Sequence, residues 1–140
     1  MKRIKINRAV SVLIYRDGKF LVLKDKNSDW WMPPGGQVEK NEFLIDALQR
    51  EIVEETGLKK IKILIPFIYW QGLINNNKRE GICFLAIYQG GKIKLSLEHS
   101  QYAWLKVNQI KKLKITHNPK HFLLAEKIIK LINKLKLKSL

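Results

Sequence analysis

At 140 residues, 46% hydrophobic and 28% charged, the chain suits one globular α/β-sized domain over 1–140 and excludes a disordered or fibrous one. No run approaches the ~18 apolar residues of a transmembrane helix, and the apolar run after the basic start Met1–Arg8 is too short for a signal peptide. The net charge of +15 would suit RNA, but Lys outnumbers Arg 22 to 5 and the lysines read as spread over the surface, densest in residues 106–140 with ten against Glu126, so RNA is the minor reading.

In chain order, residues 8–15 and 19–24 alternate like strands, and Asp17-Gly18 between them is a hairpin signal. Trp30 and Trp31 follow, then Pro33-Pro34-Gly35-Gly36, which reads as a tight, preset turn. Residues 43–56 have helical spacing, with Leu44, Ile45, Leu48 and Ile52 as the apolar stripe and Gly57 in the left-handed position that ends it. Residues 61–71 and 80–88 are β-rich, separated by the polar loop Asn75–Lys78. Cys83, the only cysteine, excludes an internal disulfide, fits a reducing cytoplasm and reads as core packing. Residues 103–107 make a short strand.

Residues 119–136 form a closing helix that starts at Pro119. Its face of Phe122, Leu123, Ala125, Ile128, Ile129, Ile132 and Leu135 packs on the sheet; a basic amphipathic helix on anionic membrane is the minor alternative. Residues 134–140 fray. Strands around one helix, closed by a second, predict an α/β fold with a mixed sheet between helical layers.

The chemistry concentrates in residues 36–58. Glu39, Glu42, Asp46, Glu51, Glu54 and Glu55 are half of the 12 acidic residues of a strongly basic chain. On a helix, Glu51, Glu54 and Glu55 stand at i, i+3 and i+4 and share one face. They occupy the last two turns, where the helix dipole disfavours anions. A local rule broken in a cluster points to function, and convergent hard oxygens suit Mg²⁺ or Mn²⁺. The rival reading is a solvated acidic stripe neutralised by Lys59 and Lys60. Nearby glycines favour a ligand site, because backbone can then approach an ion and the Gly36 carbonyl can add an oxygen. Glu42, at the helix start, can reach back to the loop or forward to Arg50.

Taken whole, Gly36, Glu42, Arg50, Glu51, Ile52, Glu54, Glu55, Gly57 and Leu58 fill every specified position of a pattern that resembles the Nudix hydrolase signature. Asn41 departs from the glycine that many relatives carry, yet asparagine tolerates left-handed backbone. The resemblance implies an α/β/α sandwich and hydrolysis of a pyrophosphate bond in a nucleoside diphosphate linked to another moiety, with Mg²⁺ or Mn²⁺. It implies that Gly36, Glu51, Glu54 and Glu55 hold metal, joined by Glu98 from a later loop. Arg50 would orient the glutamates through Glu42, and Gly57 is structural. The metals would neutralise phosphate, acidify bound water and clamp the breaking bond, while Glu51 or Glu98 accepts the proton. His99, beside Glu98, reads as a loop histidine.

Candidate base-stacking aromatics are Trp30, Trp31, Tyr69, Trp70 and Tyr102, of which Trp31 reads as structural. Tyr69 and Trp70 adjoin on a strand, so only one lines a pocket. The window 72–76 lacks the Pro or Tyr that ADP-ribose and dinucleoside-polyphosphate subfamilies often carry. That leaves a MutT-like nucleoside triphosphate pyrophosphatase slightly ahead. ADP-ribose, dinucleoside polyphosphates, an RNA 5′ end and a non-catalytic ligand sensor are the alternatives. The partner is a small nucleotide, with no membrane; monomer and homodimer both fit.

Overall fold

The computed structural model describes residues 6–138, so most of the basic start and the last two positions of the C-terminal segment lie outside the described residues. Strand β1 (Asn7–Arg16) turns at Asp17 and Gly18, both at positive φ, into β2 (Lys19–Asp25). The short β3 (Trp31–Met32) and β4 (Gly35–Gln37) precede helix α1 (Leu44–Thr56). Then come β5 (Lys60–Ile74), β6 (Asn77–Gly90), β7 (His99–Leu105), a single turn α2 (Val107–Ile110) and α3 (Pro119–Lys138).

One mixed sheet runs β3-β2-β1-β6-β5, with β7 on the other edge of β2 and β4 on β1. Among the strands of the described residues only β1 and β6 pair in parallel, over Asn7–Tyr15 and Arg79–Ile87, and a single parallel bridge joins Trp31 to Ile115. The β1–β2 hairpin is paired only near its turn, at Tyr15↔Phe20 and Arg16↔Lys19. Beyond it the strands part, and residues 31–37 fill the split. Met32 and Trp31 pair with Leu23 and Lys24 of β2, while Gly35–Gln37 pair with Ser11–Ala9 of β1.

Both sheet faces are covered, which explains the near-continuous apolar strands. Val10, Val12, Ile14, Leu21, Leu23, Phe84 and Ala86 pack with Ala47, Leu48 and Ile52 of α1. Leu13, Phe20, Val22, Cys83 and Leu85 face α2 and α3 through Val107, Ile110, Phe122, Ala125 and Ile129. The result is an α/β/α sandwich. Phe20 stands edge-on to Tyr15 and Phe122, with centroids at 5.5 and 5.4 Å, a geometry worth about 0.5–1.5 kcal/mol per pair beyond burial.

Several elements depart from the local reading. The polar loop at 75–78 is a hairpin turn in which Asn75 and Asn76 take positive φ, so β5 and β6 run up to it. Strand β7 starts four residues earlier than its apolar part suggested, and α3 runs on to Lys138, inside the segment 134–140 expected to fray, whose last two residues lie outside the described ones. Leu135 is exposed, not part of the docked face, because Ile132, Asn133 and Lys136 are the residues of that turn that face Tyr15, Leu64 and Ile87 of the sheet across an open pocket. Phe122→Ala should therefore cost about 3–5 kcal/mol in urea unfolding, and Leu135→Ala no more than about 0.5 kcal/mol. Equal losses would contradict the docking of α3 described above.

Candidate active site

The site begins with a close approach. Gly35 and Gly36 do not form the expected turn: both lie in extended β4, and neither has positive φ. Glycine is needed for space. A Cβ on Gly35 would stand 2.3 Å from the Val10 carbonyl oxygen, and one on Gly36 would stand 2.4 Å from Glu51 Cδ. The strand is thus pressed against β1 on one side and the carboxylate of α1 on the other.

Helix α1 presents its acids by burying Ala47, Leu48, Ile52, Glu55 and Thr56 against the sheet. Ile45 is exposed, contrary to the expected stripe, since Ala47 and Thr56 turn the buried face away from it. The three glutamates reach one cavity from different depths. Glu54 is exposed, Glu51 half-buried and Glu55 only 5% exposed. Gly57, at φ 71°, ends the helix by donating its N–H to the Val53 carbonyl.

Arg50 ties the cluster together. Its Nε and one terminal nitrogen donate to the two oxygens of Glu42 at 2.9 and 3.0 Å, and that same nitrogen reaches the Gln37 carbonyl at 3.0 Å. Its other nitrogen donates to Glu51 at 2.9 Å and Glu54 at 3.3 Å. This bidentate pairing holds Glu42 at a pKa of about 2, mainly through Arg50 and secondarily through the Glu39 N–H, and raises the Arg50 pKa further. Burial raises the pKa of Glu51 above the usual carboxylate value; Arg50 opposes that shift, while Glu55 and Glu54 add to it. Among the described residues neither Lys59 nor Lys60 forms an ion pair with the cluster; Arg50 and His99 do.

A separate segment brings Glu98. The Lys94 and Ser96 N–H groups donate to the Thr56 and Glu55 carbonyls, satisfying the open end of α1, and the Lys26 N–H fixes the Glu98 carbonyl at 3.0 Å. Glu51, Glu54, Glu55, Glu98, Ser96 and Gly35–Gln37 then line one cavity. His99 is no loop histidine. It opens β7, is buried, and meets Glu55 at 2.5 Å, which raises its pKa. The other Glu55 oxygen accepts from the Gly35 N–H at 2.7 Å.

This donor set fits a divalent cation: clustered carboxylates with a single guanidinium among them, plus Ser96, whose buried Oγ has no hydrogen-bond partner among the described residues. Glu55, Glu98 and His99 also bring ligand atoms within 4.8 Å of one another.

On the other side of Gly35–Gly36 lies a largely apolar pocket of about 470 Å³, bounded by Val10, Met32, Ile68, Trp70, His117 and Asn118. Trp70 is laid across Gly81, where a Cβ would stand 2.3 Å from its ring. Tyr69 points elsewhere, donating to Glu80 at 2.7 Å, and Tyr102 is exposed on β7. Trp31 packs into the core; Trp30 is exposed with the Lys114 ammonium 4.7 Å from its ring centre.

His117 had no local signal in the sequence. Its ring is held between Ser11 Oγ at 3.1 Å and Thr116 Oγ1 at 3.0 Å, and burial lowers its pKa to about 4. The unfolded chain therefore takes up that proton first. The contribution of His117 is complete above about pH 6.5 and is lost as pH falls toward 4, by roughly 1 kcal/mol per pH unit. Urea midpoints measured across that window should fall more steeply for the natural chain than for His117→Asn. Parallel curves would contradict the half-buried, neutral ring.

The NUDIX domain family matches residues 5–125. An ADP-ribose pyrophosphatase of Methanocaldococcus jannaschii is 32% identical over 140 residues, covering 91% of this chain and 75% of that protein. An RNA pyrophosphohydrolase of Pelagibacter ubique is 25% identical over 71% of this chain and 75% of its own length. The MutT protein structure from Methanosarcina mazei Go1 superposes with a TM-score of 0.76 at 26% identity, covering 93% of this chain and 99% of that one. With its acid cluster and sandwich both in place, the chain belongs to the NUDIX domain family, whose hydrolases act on pyrophosphate bonds of nucleoside diphosphate derivatives.

Proposed function

We propose that the chain hydrolyses a nucleoside 5′-polyphosphate, foremost a nucleoside triphosphate, to a nucleoside monophosphate and, from a triphosphate, pyrophosphate. The observation that carries this reading is that Gly35 and Gly36 line both the acidic cavity and the apolar pocket. A base held against Trp70 would have its phosphates run over the glycine strand toward Glu51, Glu54, Glu55 and Glu98.

In this reading the Gly36 carbonyl, Glu51, Glu54, Glu55 and Glu98 hold Mg²⁺ or Mn²⁺. Bound there, the cation would screen phosphate charge and acidify the attacking water. Arg50 is a positioning residue: its fork fixes Glu51 and Glu54 relative to Glu42 and the Gln37 carbonyl. Glu98 is the proposed proton acceptor. Glu51 and Glu54 are tied to Arg50, and Glu55 to Gly35 and His99, whereas the Glu98 carboxylate makes no hydrogen bond among the described residues.

A second reading, ADP-ribose, is favoured by the 32% identity to the Methanocaldococcus enzyme. Both readings are tested by incubating the protein with Mg²⁺ or Mn²⁺ and triphosphates, ADP-ribose, dinucleoside polyphosphates or triphosphorylated RNA. Turnover of ADP-ribose without turnover of any nucleoside polyphosphate would overturn the first reading.

Glu54→Gln should lose activity together with metal affinity. Glu98→Gln should lower kcat by about 10²–10⁴ and weaken metal affinity less than Glu54→Gln does; a full-rate Glu98→Gln enzyme would remove Glu98 from the mechanism. Trp70→Ala should raise KM by roughly 5- to 100-fold, as expected for a lost base stack; an unchanged KM would move the base out of that pocket.

A further inference from the structure

The loop between β2 and β3 is built more rigidly than its exposure suggests. The Asp25 carboxylate accepts from the Asn27 N–H at 3.2 Å and the Ser28 hydroxyl at 2.8 Å, and Ser28 Oγ accepts from the Trp30 N–H at 3.3 Å. The Asp25 N–H closes the loop on the Trp30 carbonyl at 2.9 Å. Beyond it, the Trp31 N–H donates to the Lys114 carbonyl at 2.8 Å, and the Thr116 N–H donates to the Trp31 carbonyl at 3.0 Å. Two chain segments thus clamp Trp30 and Lys114 in register. The product is an indole ring, 40% exposed, with an ammonium 4.7 Å from its centre.

Core packing does not account for this arrangement, since an exposed cation–π contact is worth only about 0.5–1 kcal/mol. Among the described residues Lys114 has no acidic partner. The ring borders an open cavity of about 520 Å³ lined by Asp25, Ser28, Trp30, Met32, Ile115 and Thr116. Met32 and Thr116 also line the Trp70 pocket, so the two cavities share a wall. The same loop is tied to the acid cluster through Lys26 and the Glu98 carbonyl. A rigid aromatic ring paired with a free cation, next to a first base pocket, matches the parts that hold successive nucleotides on single strands.

We propose that Trp30 and Lys114 form a second nucleotide subsite, in which a second base stacks on Trp30 while Lys114 meets its phosphate. This rests on the nucleoside-polyphosphate reading above and extends it to substrates that carry a further nucleotide. Such a nucleotide has two sources of the same chemistry: a 3′-linked one, as at an RNA 5′ end, or a 5′-linked one across a polyphosphate. Tyr102, exposed on β7, lacks the paired cation and the shared wall, so it is left out of the subsite.

The test is calorimetric binding of three methylene-bridged, non-hydrolysable ligands: an adenosine triphosphate, a diadenosine tetraphosphate and a triphosphorylated adenylate dinucleotide. Each is measured on the natural chain and on Trp30→Ala and Lys114→Ala, with thermal melts to check folding. The ratio of two-base to one-base affinity should fall roughly 5- to 100-fold in Trp30→Ala. It should fall less in Lys114→Ala, with the salt slope shallower by about 1. The two-base ligand that responds identifies the linkage. An unchanged ratio in Trp30→Ala overturns the subsite while leaving the first pocket standing. Failure of the natural chain to bind the triphosphate overturns the nucleotide reading and the subsite with it.

Discussion

The distance between β4 and its neighbours governs the candidate site. Residues 31–37 enter a split that exists because the β1–β2 hairpin is paired only beside its turn. Once inside, Gly35 touches the β1 backbone and Gly36 touches the Glu51 carboxylate, with no room for a methyl group on either. This contact sets the strand backbone directly against the helix carboxylate, with so little slack that even a sub-ångström misfit there is costly. It also makes β4 a partition, with carboxylates on one side and an apolar pocket on the other.

The carboxylates themselves oppose stability. Three of them stand near the C-terminal end of α1, against the dipole and close to one another. The fold answers with directed donors. Arg50 supplies a rigid fork, His99 and the Gly35 N–H hold Glu55, and the 94–96 segment donates to the carbonyls at the helix end. Lysine, the commonest cation of the chain, has no part in this among the described residues. A flexible ammonium would neutralise charge without fixing the direction of any carboxylate.

Local features were legible in the sequence where the physics is local. The hairpin at Asp17-Gly18 and the end of α1 at Gly57 follow from which residues accept positive φ. The acid cluster followed from helical spacing and from its violation of dipole preference. The misreadings share one cause, a partner far along the chain. The two glycines of β4 looked like a turn because their need for space comes from Val10 and Glu51. His99 looked like a loop residue because the carboxylate that buries it lies in another element. His117 had no signal at all, since Ser11 lies near the opposite end of the chain. Ile45 and Leu135 were misplaced because apolar residues at helical spacing outline a broad stripe but not which edge of it meets the neighbouring layer.

The parallel pairing of β1 with β6 has a consequence for how the protein comes into being. Val10 meets Ile82, so the centre of the sheet closes only after α1 and the long β5–β6 hairpin have been made. Such pairing pays its loop-closure entropy before any contact rewards it, and it slows folding. During synthesis the apolar β1 must therefore wait, unpaired on one edge, until β6 has left the ribosome. Until then the hydrophobic strand edge of β1 is a template for mispairing with other chains. Charge repulsion offers little protection in that interval, because residues 1–90 carry 15 Lys and Arg against 10 Asp and Glu and the rest of the +15 arrives only with residues 91–140.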